Sequence, residues 1–158
     1  MVNLLPFLVA LLPLLSHAQD TGGECQLPPT WTITGGDDPM VTARGDFVVV
    51  MLMKLESLRS ALVGEGYSDV TFMGVNLKGS WTSRYISILE GRVSFPVYQD
   101  TDALDIWTKL DGEKDDVLIY DRCGQLITRV RLPYGNSDVE NAVRSAITGN
   151  SQCTCDST

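Results

Sequence analysis

The chain has 158 residues, with 20 Asp and Glu against 12 Lys and Arg, for a formal charge of -8. That sign disfavours nucleic acid, anionic lipid and heparin as partners, since all would be repelled at long range. The single histidine, His17, falls in a leader-like segment. The rest of the chain therefore has no imidazole for a Ser-His or Cys-His relay and lacks the commonest transition-metal ligand.

In chain order, residues 1–18 read as a secretory signal peptide. Residues 4–15 are an apolar run broken only by Pro6 and Pro13, too short to span a bilayer. Ser16-His17-Ala18 offers small residues at the two positions a signal peptidase reads, so the exported chain would begin at Gln19. No Lys or Arg precedes the run, a departure from the usual pattern. No later apolar stretch has the length of a membrane span, and the expected product is secreted and extracellular, without membrane insertion. Roughly 140 residues then remain, enough for one domain with a real core.

Residues 19–45 are rich in Gly, Pro, Thr and Asp and read as an extended lead-in holding Cys25 and Trp31. Residues 46–149 carry the periodic segments of a domain, and residues 150–158 form a polar tail with two cysteines. Phe47-Val48-Val49-Val50-Met51 is an unbroken apolar run of the kind buried inside a parallel sheet. Leu55, Leu58, Ala61 and Leu62 follow at helical spacing, with Glu56, Arg59 and Ser60 on the opposite face. Only Leu52, Met53 and Lys54 lie between, with no turn or capping residue. The strand is expected to end by Met51 and the next residues to serve as a makeshift turn.

The helix stops at Gly64-Glu65-Gly66. Residues 70–75 form a second apolar strand. In residues 80–89, Trp81, Tyr85, Ile88 and Leu89 suit a short helix. Residues 93–98 are a short strand or extended segment, and Pro96 argues for an edge or a strand end. Residues 102–110 predict an amphipathic helix with Ala103, Ile106, Trp107 and Leu110 on one side. Residues 117–120 and 126–132 are strands joined by a turn at Arg122-Cys123-Gly124-Gln125. Residues 137–148 close the domain as a helix, with Ser137 as cap, Glu140 completing a capping box, and Val139, Val143, Ala146 and Ile147 facing inward.

The order strand, helix, strand, helix, strand, strand, helix describes an α/β, thioredoxin-like sandwich: a mixed sheet flanked by helices. Its strand-helix junction is shortened at the place where such folds hold a reactive thiol, because a helix N-terminus stabilises a thiolate. No cysteine lies there.

Four cysteines follow the leader: Cys25, Cys123, Cys153 and Cys155. An even count in an exported chain favours disulfides, with three possible pairings. A bridge within Cys153-Thr154-Cys155 would close a strained ring. Bridges from the tail to Cys25 and Cys123 are the preferred arrangement. Arg122 beside Cys123 would favour a thiolate, yet a structural half-cystine is the simpler role in an oxidising compartment. Cys153 and Cys155 could form a redox pair, but a polar tail gives them neither a helix N-terminus nor a shaped pocket.

Several stretches resemble the N-terminal domain of the selenoprotein P family. They include Gln26-Leu27-Pro28-Pro29-Thr30-Trp31, Lys54-Leu55-Glu56-Ser57-Leu58-Arg59, Pro96-Val97-Tyr98-Gln99 and Lys114-Asp115-Asp116-Val117-Leu118-Ile119-Tyr120-Asp121-Arg122-Cys123-Gly124. The likeness runs in order through nearly all of residues 24–135. It implies a role in extracellular selenium handling and protection against oxidants, with a cell-surface receptor or selenium compounds as partners. Members resembling this chain carry a selenocysteine-x-x-cysteine motif between the first strand and its helix. Here Met51-Leu52-Met53 runs straight into Lys54-Leu55-Glu56, so no residue inherits that role. The family's histidine- and selenocysteine-rich C-terminal region also has no counterpart in these residues. The expectation is a binding or carrier domain with little or no activity at the usual site. An oxidoreductase or peroxidase is the competing reading.

The remaining motifs carry less. Met51 and Met53 are expected to pack in the core. Arg44-Gly45-Asp46, an adhesion tripeptide in exposed loops, reads here as a turn before a buried strand. Asp115 and Asp116 read as a charged strand entrance. No phosphate-binding glycine loop, spaced metal-ligand set or N-glycosylation sequon occurs, so no cofactor or metal is expected.

Overall fold

A run of five apolar residues is stable only where both faces of a strand are covered, and β1 (Phe47–Met51) is buried at every position. The computed structural model describes residues 29–52, 56–131, 133 and 135–149. β1 pairs in parallel with β2 (Val70–Asn76), Phe47 opposite Val70 and Met51 opposite Gly74. On its other side it pairs antiparallel with β4 (Val117–Tyr120), Val48 opposite Tyr120 and Met51 opposite Val117. β3 (Val97–Gln99) and β5 (Leu126–Val130) form the edges of this sheet, in the order β3-β2-β1-β4-β5. Pro96 stands just ahead of the edge strand β3, where its missing N–H removes no ladder bond, and its carbonyl accepts from Gly74 N at 2.9 Å.

Strand alternation splits the core in two. Val49, Met51, Phe72, Val117 and Ile119 pack with Leu58 and Leu62 of α2 (Glu56–Gly64) and with Val139 and Val143 of α5 (Asn136–Thr148). Val48, Val50, Leu52, Met73, Leu118 and Tyr120 face the opposite way. They meet Ile106 and Trp107 of α4 (Ile106–Lys109) together with Trp31, Met40 and Ala43. Burial pushes the Tyr120 phenol well above its ordinary range.

The expected extended lead-in is corrected over its described part. Residues 39–42 form a short helix, α1 (Pro39–Thr42), and Trp31 is wholly buried. Asp38 caps α1 by accepting from Met40 N at 2.9 Å, and Pro39 suits its first turn. Ala61 proves exposed; among the described residues of α2, Leu58 and Leu62 are the buried ones. Gly66, at φ 92°, ends that helix as expected.

The cap of α5 is two residues earlier than expected. Gly135 N donates to Asp138 Oδ2 at 2.7 Å, so Asp138 rather than Glu140 makes the reciprocal bond, and Ser137 lies inside the helix. Glu140 instead receives Arg144 at 2.8 Å across one turn, and the same guanidinium reaches Glu65 Oε1 at 2.7 Å beyond the end of α2. The hydrogen bond from Arg144 holds the Glu65 carboxyl below its ordinary range. A carboxylate with a lower folded than unfolded pKa stabilises fully above about pH 4 and less as pH falls through its folded value. Arg144→Met should therefore flatten the fall in melting temperature between neutral and acid pH. An unchanged slope would show that the pair contributes nothing.

Arg44-Gly45-Asp46 is a turn. Gly45 has φ 99° and donates to Arg122 O, while Asp46 Oδ2 accepts from Thr71 Oγ1 at 2.6 Å. No described helix is long and apolar enough to cross a membrane.

Candidate functional site

Ligands and reacting groups in sheets of this kind gather beyond the carboxyl ends of the parallel strands. For β1 that end is Met51 and Leu52, which are 1% and 0% exposed. β1 stops at Met51, as expected, and the helix begins at Glu56. Leu52 N donates to Asp116 O at 3.0 Å, so a loop from residues 112–116 closes directly over the strand end. The fit is tight. A Cβ built on Gly112 would stand 2.6 Å from Leu52 Cδ1. Met51 packs in the core as expected, while Met53 lies outside the described residues.

Asp116 departs from the expected charged loop entrance. It is 1% exposed, accepts from Glu113 N at 3.0 Å, and lies 3.6 Å from Arg131 and 3.9 Å from Arg129. It is therefore paired with two guanidinium groups, Arg129 on β5 and Arg131 just beyond its end. Asp115, at φ 66°, makes the turn beside it. Among the described residues this end of the sheet holds no thiol and no imidazole, and no group of three metal-ligating side chains forms anywhere.

Cys123 is at the other end. The register that sets Met51 opposite Val117 sets Val48 opposite Tyr120, so the β4-β5 turn sits near the start of β1. At the rise of a strand, the two ends are separated by roughly 10 Å or more. The turn is held by Asp121, buried, whose Oδ1 accepts from Cys123 N and Gln125 N at 2.9 Å each. Gly124 supplies the positive φ of 79° that the turn requires. Arg122 does not serve the neighbouring sulfur. Its guanidinium pairs with Asp69, holding that carboxyl below its ordinary range, and stacks 4.3 Å from the Phe47 ring. Cys123 is half-buried and disulfide-bonded, so its sulfur has no proton to lose. Cys25, Cys153 and Cys155 lie outside the described residues.

Two polar residues near the strand ends were not singled out from the sequence. Asp100, 1% exposed, follows β3 and accepts from Thr101 N and Ile106 N at 2.8 Å and from Trp107 N at 3.1 Å. It thus caps α4, whose preceding Asp105 sits at φ 47°; the expected helix over residues 102–110 forms only from Ile106. An Asp six residues ahead of the first apolar helix position is the signal that was available. Asp100→Ala should lower stability by about 3 kcal/mol, the cost of orphaning buried N–H groups, and Asp100→Asn should recover part of it. Urea unfolding reads both; equal midpoints for Ala and wild type would refute the role. Asn76, the last residue of β2, is buried and donates from Nδ2 to Thr82 O at 2.9 Å and Gln99 Oε1 at 2.7 Å.

The geometry defines an α/β protein of the thioredoxin fold. Solved structures agree. A thiol-disulfide isomerase from Corynebacterium glutamicum superposes with TM-score 0.56 at 13% identity, covering 82% of this chain and 99% of that one. A yeast mitochondrial 1-Cys peroxiredoxin superposes with TM-score 0.53 at 14% identity, covering 77% and 74%. The family is given by sequence: the model of the selenoprotein P N-terminal region matches residues 20–158, and the chain belongs to that family.

Selenoprotein P of Homo sapiens is 39% identical over 134 residues, 75% of this chain and 35% of the relative. Selenoprotein Pb of Danio rerio is 32% identical over 174 residues, 98% of this chain and 65% of the relative. This chain thus matches only about a third of the human protein's length. The 174 aligned positions exceed the chain's own 158 residues, so the zebrafish relative carries residues within the matched span that have no counterpart here.

Proposed function

We propose that this chain is a secreted, extracellular member of the family whose thioredoxin-like domain binds or carries rather than catalyses. Its setting would be extracellular selenium handling and the response to oxidative stress. The observation that supports this most is the closed end of β1. Leu52 is buried there under the loop over residues 112–116, and no cysteine separates β1 from α2. The partners that fit are a cell-surface receptor or selenium compounds, and the acidic balance of the chain disfavours heparin and nucleic acid.

The second reading is an extracellular thiol or selenol oxidoreductase or peroxidase, favoured by the fold shared with an isomerase and a peroxiredoxin. Thiol titration of the protein collected from culture medium separates the two. The carrier reading expects every cysteine to be blocked under native conditions and no consumption of hydroperoxide with glutathione or thioredoxin. Steady turnover by the purified chain would overturn it. N-terminal sequencing of the same material should start at Gln19.

A further inference from the structure

The stripe Trp81, Tyr85 and Ile88 has the spacing of a core-facing helix side, yet it does not face the core. Residues 82–85 form a 3-10 turn leading into α3 (Ile86–Glu90), and the three side chains are 68%, 44% and 45% exposed. With Leu77, they are four of the eight large apolar side chains exposed among the described residues. All four line one groove of ≈ 440 Å³ at the end of β2. A smaller hollow of ≈ 180 Å³, reaching Met51 and Phe95, adjoins it through shared Asn76, Leu89 and Arg92.

The groove is built rather than left over. Asn76 Nδ2 ties β2 to Thr82, and Trp107, also lining the groove, is fixed by its Nε1 donating to Val75 O at 3.2 Å. Trp81 and Tyr85 meet edge to face at 6.1 Å, and Arg84 lies 5.9 Å from the Trp81 ring. The electrostatics stand out against a chain of charge -8. Arg92 lines both hollows and Lys114 the larger one, and among the described residues no Asp or Glu lines either. No described carboxylate pairs with Arg92, while Lys114 has Asp115 at 4.0 Å in an exposed contact.

We infer that this groove binds a small organic monoanion with a flat aromatic body, its charge toward Arg92 and Lys114 and its rings against Trp81 and Tyr85. The volume matches one small molecule, and aromatic walls with a few placed polar groups are the usual makeup of such sites. The inference rests on the carrier reading and names the class of cargo.

Anilinonaphthalene sulfonate and its uncharged parent, phenylnaphthylamine, differ by the anionic group and are the probes. Titration of the full secreted chain, followed by probe emission, should saturate at one site with the sulfonate bound about tenfold tighter, as two exposed ion pairs allow. The double variant Arg92→Gln, Lys114→Gln should abolish that preference and leave the neutral probe unaffected. Trp81→Ala should weaken both probes, and Lys109→Gln, outside the groove, should change neither. Equal affinity for the two probes, non-saturating uptake, or a sulfonate preference that survives the double variant would overturn the inference. Peroxide or disulfide turnover by the chain would remove the carrier reading while leaving this titration as it stands, so the two failures are distinguishable.

Discussion

Trp31→Ala should lower the unfolding free energy by about 3–5 kcal/mol, the range for emptying a buried large aromatic site. The side chain is 0% exposed and packs in the cluster containing Met40, Val48, Val50 and Tyr120. It also meets Tyr98 edge to face at 5.8 Å. Its Nε1 has no hydrogen-bond partner among the described residues, so the loss is one of packing, with no polar group of a neighbour orphaned. Against a total stability of about 5–15 kcal/mol, such a loss leaves the chain close to unfolding at 37 °C. Urea denaturation of wild type and variant measures it. A change below about 1 kcal/mol would mean that residues 29–45 are an appendage rather than part of the domain.

Inserting Cys-Gly-Pro-Cys between Met53 and Lys54 should give this chain disulfide reductase activity. The sheet supplies the frame that such chemistry uses: a buried β1 and a following helix whose N-terminus can hold a thiolate. Insulin reduction with a small dithiol as electron donor should rise from background to at least about ten times background, the scale of a competent nucleophile. Cys123→Ser in the inserted chain should leave that rate unchanged, because the β4-β5 turn is at the opposite end of the sheet. A folded insertion variant without turnover would show that more than the nucleophile is missing. A rate that collapses with Cys123→Ser would overturn the placement of the turn as remote.

The parts legible in the sequence were those set by local patterning. The apolar run over residues 47–51 pointed to a doubly covered strand, Pro96 to an edge or a strand end, and Gly124 within the break at residues 122–125 to the hairpin. The vacancy at the strand-helix junction was equally plain, since it needs only the absence of cysteine. What escaped notice depended on partners distant in sequence. Trp31 sits in a Gly/Pro/Thr-rich stretch that looks extended, and its burial is decided by β1 and α4. Asp116 looked like part of a charged strand entrance until Arg129 of β5 and Arg131 just after it came beside it in the fold. The stripe of Trp81, Tyr85 and Ile88 obeyed the helical period, but periodicity does not say whether the apolar side meets a core or an open groove.

The two ends of β1 have little to do with one another. The turn at its start and the closed seam at its finish are joined through the pairing of β1 with its neighbouring strands. A lineage could therefore strip the chemistry from one end without loosening the other. What would remain is a folded body that keeps its shape without chemistry at that end, and so is available for another role.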